Sequence, residues 1–337
     1  MAEIVLGMWT SHGPTLSTTP QQWLMRVKAD QNRPSHPFRL GNYSFDELCE
    51  LRKSENLGDQ ASFDERTIRH ARCQEAITKM ADIWDEVKPD VAVIMGNDQK
   101  EAFTDQMIPA FTVFSGDTLF NEPASPEQIP LMAPGIHEAE DGHNPPEYTE
   151  YPGQVELSRL IIEQATLDGF DVAQMTKIPR HENHWSAGVG HAFGYIYRQV
   201  MRDNVVPNVP IIANTFFPPN QPTAKRCYDF GKMVGRAIRA WDSELKVAVI
   251  GSGGMSHFVI DEDLDQIFIK ALAARDADTL TSLEEGHFQT GTSELKNWIS
   301  AAGVLFDTDL KGEVIDYVPC YRSEAGTGTA NGFVYWR

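Results

Sequence analysis

Four short, largely apolar runs, Ile4 to Met8, Val91 to Met95, Val209 to Asn214 and Lys246 to Ile250, are separated along the chain by stretches with helical periodicity. Continuous apolar runs of this length suit strands buried on both faces, as in a parallel sheet covered by helices. Between the first two runs, Phe63 to Val87 places Ile68, Ala71, Ala76, Ile77, Met80, Ile83 and Trp84 at helical spacing, and Pro89-Asp90 ends the pattern. Ala224 to Asp242 predicts an amphipathic helix leading into the fourth run, and further helices are expected near 153–168, 188–203, 262–275 and 291–304. Two later strands are expected at Glu313 to Val318 and Phe333 to Trp336, the second preceded by a Gly/Thr-rich segment. Strands alternating with helices predict an α/β/α sandwich around a largely parallel or mixed central sheet.

The 337 residues are 41% hydrophobic and 23% charged, enough to build one sizeable core, and they read as a single domain over 1–337. Two stretches depart from the pattern. Residues from about 20 to 65 are polar and mixed, carry the capping-box pair Ser44 and Glu47, and read as an insertion or lid over the site. Residues 121–153, rich in Pro, Glu and Gly, form the longest irregular stretch. The formal charge of −19 repels phosphate backbones and anionic lipid, which argues against nucleic acid and membrane as partners. No run reaches the roughly 18 apolar residues that span a bilayer, and the N-terminus lacks the basic and apolar regions of a signal peptide. Cys49, Cys73, Cys227 and Cys320 are dispersed with no C-x-x-C pairing. A cytoplasmic, reduced protein is the expectation.

Three strand ends deliver polar residues into loops: His12 in Trp9-Thr-Ser-His-Gly-Pro14, the Asn97-Asp98-Gln99 group, and Ser256-His257. In open α/β sheets the crevice beyond the strand carboxyl ends is where ligands bind, so these residues are expected to converge. Gly251-Ser-Gly-Gly-Met-Ser matches neither a dinucleotide fingerprint nor a P-loop. Its glycines instead let the backbone turn tightly and place His257 at a crevice. A loop before the 188–203 helix holds His181 and His184, with His191 close behind. His70, on a predicted helix among Arg69 and Arg72, reads as solvated, and His137, His143 and His287 sit in polar segments, whereas His36, between Pro34 and Pro37, is a possible contribution from the lid.

Taken in order, Thr10-Ser-His-Gly-Pro14, the Asn-Asp-x triplet, Gly253-Gly-Met-Ser-His257 and Glu294-Leu-Lys-Asn-Trp298 resemble the class III extradiol ring-cleavage dioxygenases over essentially the whole chain. The resemblance implies a non-haem Fe(II) held by two histidines and a glutamate, a small aromatic substrate with O2, and a homo-oligomer of two or more subunits. Carried over by motif, His12 and Glu294 are metal ligands, His257 is the catalytic acid/base, and His184 is a second catalytic histidine that helps hold the substrate. His191, Tyr321, Arg322, Ser323, Thr327 and Thr329 are expected substrate contacts. Gln99 stands where the family has its second histidine ligand.

Three readings of Gln99 stay open: it ligates or supports the metal through water; His36, His184 or His191 completes the set; or the site holds no iron. The expected function is an Fe(II)-dependent dioxygenase that opens a catechol-like or aminophenol-like ring. The alternatives are a metal-free or differently metallated hydrolase or decarboxylase, or a scaffold subunit without activity. A scaffold has no chemical need for His12, His184, His257 and Glu294 together.

Overall fold

The computed structural model describes residues 1–337. One sheet is built from β1 (Glu3–Thr10), β2 (Val91–Asn97), β3 (Phe111–Phe114), β4 (Ala173–Met175), β5 (Asn208–Ala213), β6 (Lys246–Ser252), β7 (His257–Val259), β8 (Gly312–Tyr321) and β9 (Thr327–Trp336). Their order is β7-β9-β1-β6-β2-β5-β3-β4, with β8 also paired to β9. The four apolar runs are the four central strands, and β1-β6-β2-β5 is a contiguous parallel block. Antiparallel partners flank it, β9 beside β1 and β3 beside β5, so the sheet is mixed.

Alternation along β2 shows why the block is buried on both sides. Val91, Val93 and Met95 face a core made with α2 (Val155–Leu167), α4 (Ala224–Ala240), α5 (Glu262–Ala274) and α6 (Leu295–Leu305). Ala92 and Ile94 face a second core made with α1 (Phe63–Val87) and α3 (His191–Tyr195). Helices thus cover both faces, and the α/β/α expectation holds. Ser62 caps α1 by accepting from the Glu65 N–H, and Lys88 closes it in the left-handed region. The expected face is buried from Ala76 to Trp84 and departs from expectation only in the first turns. Ile68 is exposed while Arg66 and Arg69 are buried, because their guanidinium groups bond the carbonyls of Pro20, Gln60 and Pro319.

Residues 20–65 fold as short helices, Val27–Asn32, Phe45–Leu51 and Leu57–Gln60, with a hairpin of His36–Phe38 and Gly41–Tyr43. The Ser44–Glu47 capping box is present. Phe38, Phe45 and Leu48 make a small core that closes on Val259 and Ala325, which docks this segment beside β7 and β9. No helix is long and apolar enough to cross a membrane. All four cysteines are free; the sulfurs of Cys73 and Cys320 lie 3.8 Å apart in the interior.

Candidate metal centre

Neighbouring strands β1, β6 and β2 all end at the same edge of the sheet, and their exits bring His12, Ser252 and Asn97 together. Above them, α3 begins at His191 after the N-cap Gly190, and Glu294 sits at the entry to α6. The ligand-capable atoms of His12, His191 and Glu294 all lie within 4.8 Å of one another.

Hydrogen bonding assigns the ring tautomers. The Ser252 hydroxyl donates to the Ala192 carbonyl (2.6 Å), so at 2.8 Å it accepts from His12 Nδ1–H. His12 Nε2 therefore carries a bare lone pair. It lies 3.2 Å from Glu294 Oε2, buried and without a hydrogen-bond partner. His191 Nδ1 donates to Glu101, leaving its Nε2 free. Glu294 Oε2 accepts from the Gly254 N–H (2.7 Å) and Oε1 from Asn97 Nδ2 (3.3 Å). Asn97 is in turn held by Asn297 at 2.8 Å.

A lone pair facing a carboxylate oxygen in a buried site is repulsive unless a cation or proton lies between them. Two imidazoles and one carboxylate, with outward ring N–H groups tied down, form a donor set that fits a divalent first-row metal and leaves coordination positions open. The electrostatics agree. Burial opposes ionisation of Glu294, but positive charge at the adjacent His12 and His257 positions more than offsets it and holds the carboxyl well below its usual range. Burial lowers His12, whereas at His191 the Glu101 charge and hydrogen bond outweigh burial and lift the ring to about 9. The site favours positive charge between its carboxylates.

A cavity of about 370 Å³ opens over this group, a size that suits one small ring. His257 lines it, with Nδ1–H donating to the Met255 carbonyl (2.7 Å) and Nε2 lying 3.6 Å from Glu294 Oε2. The ring packs against Gly291, where a Cβ would come within 2.0 Å of His257 Cδ2. Gln99, Arg322 and Thr329 also line the cavity. Gln99 lines the same cavity, and His191, one of the histidines expected to complete the set, lies with His12 and Glu294 among the three clustered donors.

Other expected site residues lie elsewhere because their hydrogen-bonding groups are engaged. His184 Nε2 bonds the Lys100 carbonyl (2.6 Å), and its neighbour Trp185 reaches the cavity instead. Buried His36 bonds the Asp30 carbonyl at 2.9 Å. Tyr321 donates to Glu262 (2.8 Å), while Ser323 and Thr327 bond each other and Thr327 bonds Asp30 (2.8 Å). None of His184, His36, Tyr321, Ser323 or Thr327 lines the cavity.

Sequence reasoning missed Arg26, Glu101 and His143. His143, expected only to sit in a polar segment, lines the cavity, 6.2 Å between ring centres from His191, and burial with the His191 charge lowers it to about 3. It lies in the 121–153 stretch, which also contributes Leu131, Ala133, Ile136 and Ala139 to the wall. Irregular backbone has no period from which such a wall could be read. The acid two residues beyond Gln99 was the available signal for Glu101.

Residues 77–333 match the family described as Catalytic LigB subunit of aromatic ring-opening dioxygenase, and the chain belongs to that family. His12 precedes the matched span and is joined to Glu294 by the geometry. Gallate dioxygenase of Pseudomonas putida (strain KT2440) is 28% identical over 181 residues, 50% of this chain and 50% of that protein. The chain thus spans about half the length of this curated relative. The crystal structure of uncharacterized protein JW3007 from Escherichia coli K12 overlays with a TM-score of 0.43 at 12% identity, covering 77% of this chain and 91% of that one.

Proposed function

We propose that the chain is a non-haem Fe(II)-dependent extradiol dioxygenase that opens a catechol-like or aminophenol-like ring with O2, acting as one catalytic domain over 1–337. The observation that carries this reading is the buried, unpartnered Nε2 of His12, 3.2 Å from Glu294 and beside His191. His12, His191 and Glu294 would hold the ion. When bound, iron supplies a Lewis acid with open positions for the ring heteroatoms and O2.

The remaining work falls to the cavity. His257 has its Nδ1–H fixed on the Met255 carbonyl, which leaves Nε2 as the ring atom able to take a proton from a substrate hydroxyl. Arg26 makes no ion pair; its side chain bonds only the Pro134 carbonyl (3.3 Å), and burial with the nearby Arg322 lowers it to about 10. Arg322 is matched by Asp30 at 2.6 and 2.8 Å. A ring bearing an anionic substituent, as gallate does, would meet Arg26 as the available cation.

The test is oxygen uptake by anaerobically purified protein on a panel of gallates, catechols and aminophenols, before and after chelation. Activity should vanish on chelation and return with Fe(II) alone. Turnover that survives exhaustive chelation would overturn the assignment, and return with another metal in place of Fe(II) would reassign the ion.

A further inference from the structure

We propose that Glu101 is a positioning residue that holds His191 as a metal ligand, an inference that rests on the metal-centre reading above. The loop after β2 is set by Asp98, whose carboxylate accepts the N–H groups of Lys100 (2.8 Å), Glu101 (3.1 Å), Ala102 (2.7 Å) and Phe103 (3.3 Å). This turn folds the Glu101 side chain back under α3, where only 2% of it is exposed.

Each oxygen of that carboxylate is committed. Oε2 accepts from the Gln99 N–H at 2.9 Å. Oε1 accepts from the His191 backbone N–H at 3.0 Å and from His191 Nδ1. The same oxygen therefore grips the start of α3 and the ring it carries, fixing ring rotation and tautomer together. Gly190 makes this approach possible, because a Cβ there would lie 2.9 Å from Glu101 Oε2. A carboxylate behind a ligating imidazole orients it and raises its basicity. The loop that bears Gln99 thus supplies the support, while a helix start supplies the ligand.

Co(II) is the probe, since its visible absorption reports donor number and geometry without turnover. Glu101→Ala should weaken Co(II) binding about 10 to 100-fold. Glu101→Gln, whose amide oxygen still accepts from Nδ1–H, should recover part of that loss and keeps the test valid if the alanine variant folds poorly. In a His191→Ala background, Glu101→Ala should add little, because its effect passes through the ring. Unchanged affinity in Glu101→Ala, a glutamine variant no better than alanine, or losses that multiply in the double variant would each overturn the role. His12→Ala marks the centre itself. Wild-type protein that binds no Co(II), or His12→Ala that binds it as tightly as wild type, removes the centre and the role with it. Loss in His12→Ala without loss in Glu101→Ala removes only the role.

Discussion

His257 offers one free ring nitrogen to the cavity, and Gln99 offers a neutral amide, so the two make opposite predictions. His257→Ala should slow turnover about 10² to 10⁴-fold while bound iron, measured by metal analysis, stays near the wild-type level. Near-normal turnover would reassign the proton transfer. Gln99→Ala should leave iron content unchanged and His191→Ala should lose most of it; the reverse pattern would return the third ligand position to Gln99. At this scale His12, His257 and Glu294 were legible as candidates because each lies in a short motif whose neighbours have defined jobs, such as Trp298, which bonds the Gly253 carbonyl at 2.8 Å. His191 was legible only as one of three histidines. Its place depends on Glu101, and a carboxylate–imidazole contact across 90 positions leaves no local pattern.

At the level of elements, β7 is carried by α5. Asp265 accepts from the Ser256 N–H (2.8 Å), the Ser256 hydroxyl (2.6 Å) and the Tyr317 hydroxyl (2.7 Å), which anchors the residue before His257. Burial raises the Asp265 carboxyl to about 7 against the opposing pull of these hydrogen bonds. Its unfolded value is near 3.9, so the native state binds the extra proton between about pH 4 and 7. Stability from this group is therefore fully present below that window and is lost as pH rises through it. Denaturation from pH 5 to 8 should show a smaller decline in Asp265→Asn than in wild type, and equal slopes would remove Asp265 as the source. Gly291→Ala should displace the His257 ring and depress kcat with iron retained; wild-type kcat would show that the ring tolerates the shift. The central strands were legible because helices on both faces demand unbroken apolar runs. β3, β4 and β7 were missed because three or four residues cannot establish a period, and β9 was truncated because its Gly/Thr half looks like a loop until its neighbours are in place.

Across the whole molecule, a formal charge of −19 surrounds a cavity whose wall carries Arg26. The long-range field slows an anionic ring and is screened over roughly 8 to 10 Å at physiological salt. For a carboxylated substrate, kcat/KM should thus rise as ionic strength increases from low values, and Arg26→Ala should raise KM more than it changes kcat. A KM unchanged in that variant would separate Arg26 from substrate binding. The spread of the donors along the chain has a consequence for biosynthesis. His12 precedes the first helix, His191 opens one in the middle, and Glu294 leads into one near the end. A nascent chain that has not yet placed α6 holds two imidazoles and no carboxylate, so it lacks the affinity of the finished centre. On the proposed reading, iron would enter only as the closing act of maturation, and an unfinished chain would be kept from bringing a redox-active ion together with oxygen.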